Sequence, residues 1–105
     1  MRQITQDSIN AFLCGSRFSR QNMSVDIDER NGNVQLCLHG NLIAERRADG
    51  TLWISDAGWK TNTTKERLNG LPCVNIYQKD FTWYLNGKEW NGNWIEIENA
   101  REAVD

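Results

Sequence analysis

The sequence predicts an α+β fold in which an antiparallel meander, in one sheet or two, carries an N-terminal helix and a short central helix. Three observations lead there. Between Val25 and Ser55 short runs in which apolar and polar residues alternate are separated by glycine-containing pairs at Asn31-Gly32, Gly40-Asn41 and Asp49-Gly50. A helix-start pattern then breaks the alternation within GWKTNTTKERLNGL, Gly58 to Leu71, and beyond Pro72 the period of two resumes. Strands joined by such tight turns pair antiparallel, and alternation gives each one buried face.

Bulk properties bound what the chain does. At 105 residues it is expected to form a single domain, 1–105, with a core of its own. Charged residues at 25% and hydrophobic residues at 39% suit a folded chain rather than a disordered one. A net charge of −2 excludes a globally basic nucleic-acid binder and leaves room only for a local patch. No apolar run is long enough to span a membrane and no leader pattern precedes the first helix, so a cytoplasmic protein is expected. Three cysteines, Cys14, Cys37 and Cys73, form no CxxC pair. That argues against a disulfide framework or a zinc site and for buried, reduced thiols.

In chain order, Ile9, Phe12, Leu13 and Phe18 fall near helical spacing, with Asp7 or Ser8 as the expected cap and Gly15 a point where the helix ends early. Val25 and Ile27 open the meander. Val34, Leu36 and Leu38 then alternate with Gln35, Cys37 and His39, followed by strands over Leu42 to Arg47 and Thr51 to Ser55. Thr63 and Glu66 have capping-box spacing, so a helix is expected over about Thr64 to Asn69, with Gly70 as a left-handed stop and Pro72 preventing a restart. Afterwards Val74 and Ile76 form one strand and a turn falls near Lys79-Asp80. Phe81, Trp83 and Leu85 share the face of the next strand. Asn86-Gly87 and Asn91-Gly92 leave a very short strand between them, and Ile95 and Ile97 close the alternation.

Few residues suggest chemistry. His39 is the sole histidine and is expected to face away from the core; as a general base or metal ligand it has no carboxylate or second ligand at a telling spacing. No nucleophile elbow, phosphate loop or dinucleotide fingerprint occurs, so neither an enzyme, a metal nor a cofactor is expected. Five tryptophans offer more. Trp83 alternates with Phe81 and Leu85 as a core residue does. Trp90 and Trp94 flank a turn and are expected outward, where with Glu96 and Glu98 they would anchor a protein partner. A different reading uses the threonine-rich helix start, with Trp59 to stack a base and Lys60, Thr61, Thr63, Lys65 and Arg67 to meet phosphates. Glu45, Asp49, Asp56 and Glu66 dilute that basic stretch, and the same threonines serve as caps in the plainer reading. Six acids against three bases after Leu71 make the chain's end acidic.

The segments LHGNLIA (Leu38 to Ala44), ISDAGWKTNTTKERLNGL (Ile54 to Leu71), YQKDFTWYLNGKEW and the early AFLCGSRFSRQNMSV resemble small accessory proteins of tailed bacteriophages and prophages, over nearly the whole chain. The resemblance implies synthesis inside a bacterial host and transfers no activity to any residue. It favours a non-enzymatic protein that binds a host or phage macromolecular complex, as an inhibitor of host defence or regulation, with nucleic-acid binding at residues 58–70 as the alternative. Exposed strand edges leave a homodimer open.

Overall fold

The computed structural model describes residues 1–98. Within them lie two helices and nine strands: α1 (Gln3–Cys14), β1 (Phe18–Arg20), β2 (Met23–Asp28), β3 (Asn33–Leu38), β4 (Asn41–Arg46), β5 (Leu52–Ile54), α2 (Asn62–Leu68), β6 (Ile76–Lys79), β7 (Thr82–Leu85), β8 (Lys88–Glu89) and β9 (Ile95–Glu96). The expected α+β arrangement is present. β1 to β5 and β9 form a six-stranded antiparallel sheet in the order β1-β2-β3-β4-β5-β9, and β6-β7-β8 form a three-stranded one. The acidic end beyond Glu98, including Glu102 and Asp105, lies outside the described residues.

α1 starts earlier than the Asp7 cap predicts. Asp7 is occupied elsewhere: its carboxylate accepts from Gln3 Nε2 at 2.7 Å and from the Arg20 guanidinium on β1. Ile4, Thr5, Ser8, Ile9 and Phe12 form the buried stripe, and Gly15, left-handed at φ +69, closes the helix. Phe18 therefore belongs to β1 and not to α1.

The meander follows the alternation, with one exception. β3 and β4 lose register between Leu36 and Cys37: Leu36 pairs with Ala44, but Cys37 pairs with Leu42. Ile43 is the extra residue, and this bulge turns it to the core side beside Ala44, where both are buried. His39 is not on a strand face. It occupies the β3–β4 turn at φ +52, with Gly40 at φ +78, and is exposed.

α2 starts two residues before the expected box. Thr61 is the cap, its hydroxyl accepting from Thr64 N at 3.1 Å. Glu66 is free of that duty and reaches α1, accepting from the Thr5 hydroxyl at 2.5 Å. Gly70 is needed for close approach rather than for a left-handed stop, since a Cβ there would sit 2.9 Å from Thr5 Cγ2 and 3.0 Å from Ile9 Cγ1. The helix instead ends at right-handed Asn69, whose amide stitches it to β6 by donating to Ile76 O (2.9 Å) and accepting from Ile76 N (2.6 Å).

Three further expectations are corrected. Trp90 is buried: its backbone donates to Trp83 O at 2.9 Å, directly opposite, so it shares the buried face of Trp83 and its ring lies 6.3 Å from that of Trp83. Phe81 leaves the Trp83–Leu85 face because Asp80 and Phe81 form the β6–β7 turn, both at positive φ. The thiols are free but not buried: Cys14 and Cys73 are exposed and Cys37 is half-buried. Burial and the charge of Asp26 raise the pKa of the Cys37 thiol against a hydrogen bond with Ser24.

Candidate functional site

The chain's chemistry is concentrated where the loop between β5 and α2 meets the turn after Trp90. Asp56 is the hinge of this region and is buried. Its Oδ1 accepts from Gly58 N at 2.7 Å and its Oδ2 from Lys60 Nζ at 2.7 Å, while its backbone N donates to Gly92 O at 2.9 Å. Ser55 Oγ also donates to Gly92 O, at 3.2 Å, and Lys60 Nζ to Asn91 O, at 2.6 Å. Gly92 is obligatory there, because a Cβ would fall 1.9 Å from Asp56 Oδ2. The Trp90 indole donates to Asn93 O at 2.9 Å and closes the turn from inside. Two loops far apart in sequence are thus bound into one unit, and each holds out a tryptophan.

Those tryptophans are Trp59, 58% exposed, and Trp94, 43% exposed. Beside Trp94, Ile95 is exposed at the end of the sheet and Glu96 and Glu98 are exposed as well. Between β8 and β9 lies a hollow of about 180 Å³ lined by Glu89, Ile95, Glu96 and Glu98 together with Lys88. Of the residues expected to form the protein-binding face, Trp94, Glu96 and Glu98 are exposed; Glu96 and Glu98 line this hollow, whereas Trp94 lines a neighbouring one with Asp56, Gly58, Lys60 and Asn93. Trp90 supports them from the core, and Ile95 replaces it at the surface. β9 is the edge strand of the six-stranded sheet, and Ile95 on it is exposed whereas Ile97 just beyond it is buried.

The alternative set is divided. Arg67 is 1% exposed and cannot meet a phosphate. Its Nη1 donates to Thr5 Oγ1 at 3.0 Å and to the Glu66 carboxylate, its Nη2 donates to Asn22 Oδ1 at 3.3 Å, and its Nε has no partner among the described residues. Lys60 is ion-paired with Asp56, and the Lys65 ammonium lies 5.9 Å from the centre of the Trp83 ring. Thr61 caps α2. What remains is a cavity of about 360 Å³ lined by Trp59, Thr61 and Thr63 from the β5–α2 region, by His39 and Asn41 from the β3–β4 turn, and by Leu38 and Ile43. Sequence reasoning did not find Asn41, Ile43 or Asp56. The bulge that aims Ile43 has no mark in the sequence, although the Asp56–Lys60 spacing was readable.

No group of three or more His, Cys, Asp or Glu side chains among the described residues is placed to hold a metal ion. Nor is any described helix long and apolar enough to cross a membrane. Compared with known proteins, residues 1–101 match the model of the Kyanoviridae Gp96 protein family. No curated protein and no solved structure matches the chain. The family match covers nearly the whole sequence and agrees with the resemblance carried by its central motifs: the chain belongs to the Kyanoviridae Gp96 protein family and is a bacteriophage protein.

Proposed function

We propose that this phage protein is a non-enzymatic accessory factor that binds a host macromolecular complex by protein contact and thereby inhibits host defence or regulation. The observation that carries the reading is the exposed Trp94, presented on a braced turn and followed in the chain by the exposed Ile95, Glu96 and Glu98. An aromatic anchor surrounded by polar groups is the arrangement that dominates interface energies. The turn that presents Trp94 is already held by Asp56, Ser55, Lys60 and the Trp90 indole. Little ordering entropy is then lost on binding. The carboxylates select a partner with a basic surface and speed its approach. Catalysis finds no comparable support, since the carboxylate of Asp56, which lines the same cavity as His39, is committed to Lys60 and Gly58.

The test is capture from host lysate with nuclease present, followed by titration of the purified partner. Trp94→Ala is expected to weaken binding by about 2 kcal/mol with the fold unchanged, and Glu96→Lys to slow association most at low salt. A folded Trp94→Ala variant that binds as tightly as the parent would overturn the assignment of this patch. Capture that vanishes with nuclease would move the function to nucleic acid.

A further inference from the structure

The cavity beside Trp59 is separate from the Trp94 patch, and its lining has a distinct chemistry. We infer that it binds a single nucleobase, stacked against Trp59 and read along its edge by Asn41, His39 and Thr63. Four observations combine. First, at about 360 Å³ the cavity falls within the range of small-ligand sites, roughly 300–1,000 Å³. Second, part of its lining is apolar and rigid: Leu38 and Ile43 are buried, and Ile43 is there only because the β4 bulge turns it inward. Third, Asn41, His39 and Thr63 are among its lining residues, and their side chains make no hydrogen bond within the described residues. Fourth, Trp59 leaves more than half its surface exposed, although the loop that carries it is tied down.

The ligand class follows from what satisfies all four. An apolar side chain from a partner would cover Trp59 and Ile43 but leave the three polar groups unpaired. A sugar would hydrogen-bond to them but place hydroxyls against Leu38 and Ile43, which return nothing. A nucleobase has apolar faces and a hydrogen-bonding edge, and an asparagine amide supplies the donor–acceptor pair that such an edge takes in bidentate fashion. Stacking on an aromatic ring suits any base. Charge sharpens the assignment. Besides His39, Asp56 is the one acidic or basic residue lining it among the described residues, and Lys60 is ion-paired with that carboxylate. No Lys or Arg lines the cavity among the described residues, so the base and not the backbone is recognised.

The experiment is a titration of the ¹⁵N-labelled full chain with adenosine, 5′-AMP, a short single-stranded oligonucleotide and glucose. It follows the Trp59 indole, the Asn41 side-chain amide and the backbone of His39. Adenosine is expected to move these signals, 5′-AMP to bind no more tightly, and salt to have little effect. Trp59→Ala and Asn41→Ala should each weaken binding roughly tenfold, whereas Trp94→Ala should leave it unchanged. That control separates failure here from failure of the protein-binding patch. If only the oligonucleotide moves the same signals, and does so independently of salt, the base comes from a strand and the assignment holds. The inference is overturned if neither probe moves them at about millimolar concentration. Glucose acting alone, or full adenosine binding by Trp59→Ala, would overturn it too.

Discussion

Phe81 is the residue whose conformation and environment agree least. It is second in a two-residue hairpin turn at φ +66, a region that suits glycine or asparagine, and it is 95% exposed. A left-handed backbone costs a residue with a Cβ roughly 1 kcal/mol, and a ring almost wholly in water gains no packing to offset it. Phe81→Gly is therefore expected to raise stability by about 1 kcal/mol, read as a higher urea midpoint with an unchanged slope. A lower midpoint would show that the ring does contribute to the fold. Gly92 is the opposite case: the space, taken by the Asp56 carboxylate, leaves glycine as the sole fit.

Between elements, the α1–α2 seam joins a buried charge to a titrating carboxylate and so responds to substitution and to pH. Arg67 is buried in it as a charge, and Glu66 is its counter-ion. Burial alone would raise the pKa of Glu66. The Thr5 hydroxyl, the Arg67 guanidinium and the Arg2 amide more than offset that, and hold the carboxyl below its ordinary value of 4.5. A depressed folded-state pKa means stability that is fully present above the unfolded value and lost as pH falls through the folded one. The urea midpoint is thus expected to fall on acidification below about pH 4.5. Glu66→Gln should be less stable at neutral pH and lose less across that acid window, because the group that titrates is gone. Parallel curves for the two proteins would place the acid sensitivity in other carboxylates. The seam was not legible in the sequence. Arg67 reads as one of several surface cations on a short polar helix, and only the approach of Thr5 on α1, allowed by Gly70, makes it interior.

At the scale of the whole molecule, the buried residues of both sheets and both helices form one cluster, from Ile4 and Phe12 through Leu36 and Ile54 to Trp83, Trp90 and Ile97. β9 returns to β5 after the three-stranded sheet, pairing Ile95 with Ile54 and Glu96 with Trp53, so the chain's two halves are interlocked. Unfolding is expected to be one cooperative transition, with far-ultraviolet dichroism and the fluorescence of Trp83 and Trp90 giving the same midpoint. Separate midpoints would mean that the two sheets unfold independently. Local physics settled much in advance. A period of two forces side chains to alternate, so β2, β3 and β5 and the burial of Trp83 were readable. Glycine pairs marked the turns between them, and Gly15 marked the end of α1, because few other residues adopt those backbone angles. Four features emerged only in the tertiary structure: the burial of Trp90, the inward turn of Ile43, the burial of Arg67 and the joining of the Trp59 and Trp94 loops through Asp56. Each depends on register or approach between segments distant in sequence. Local periodicity states which face a residue shares with its neighbours, but which faces meet is decided by the packing of the whole chain.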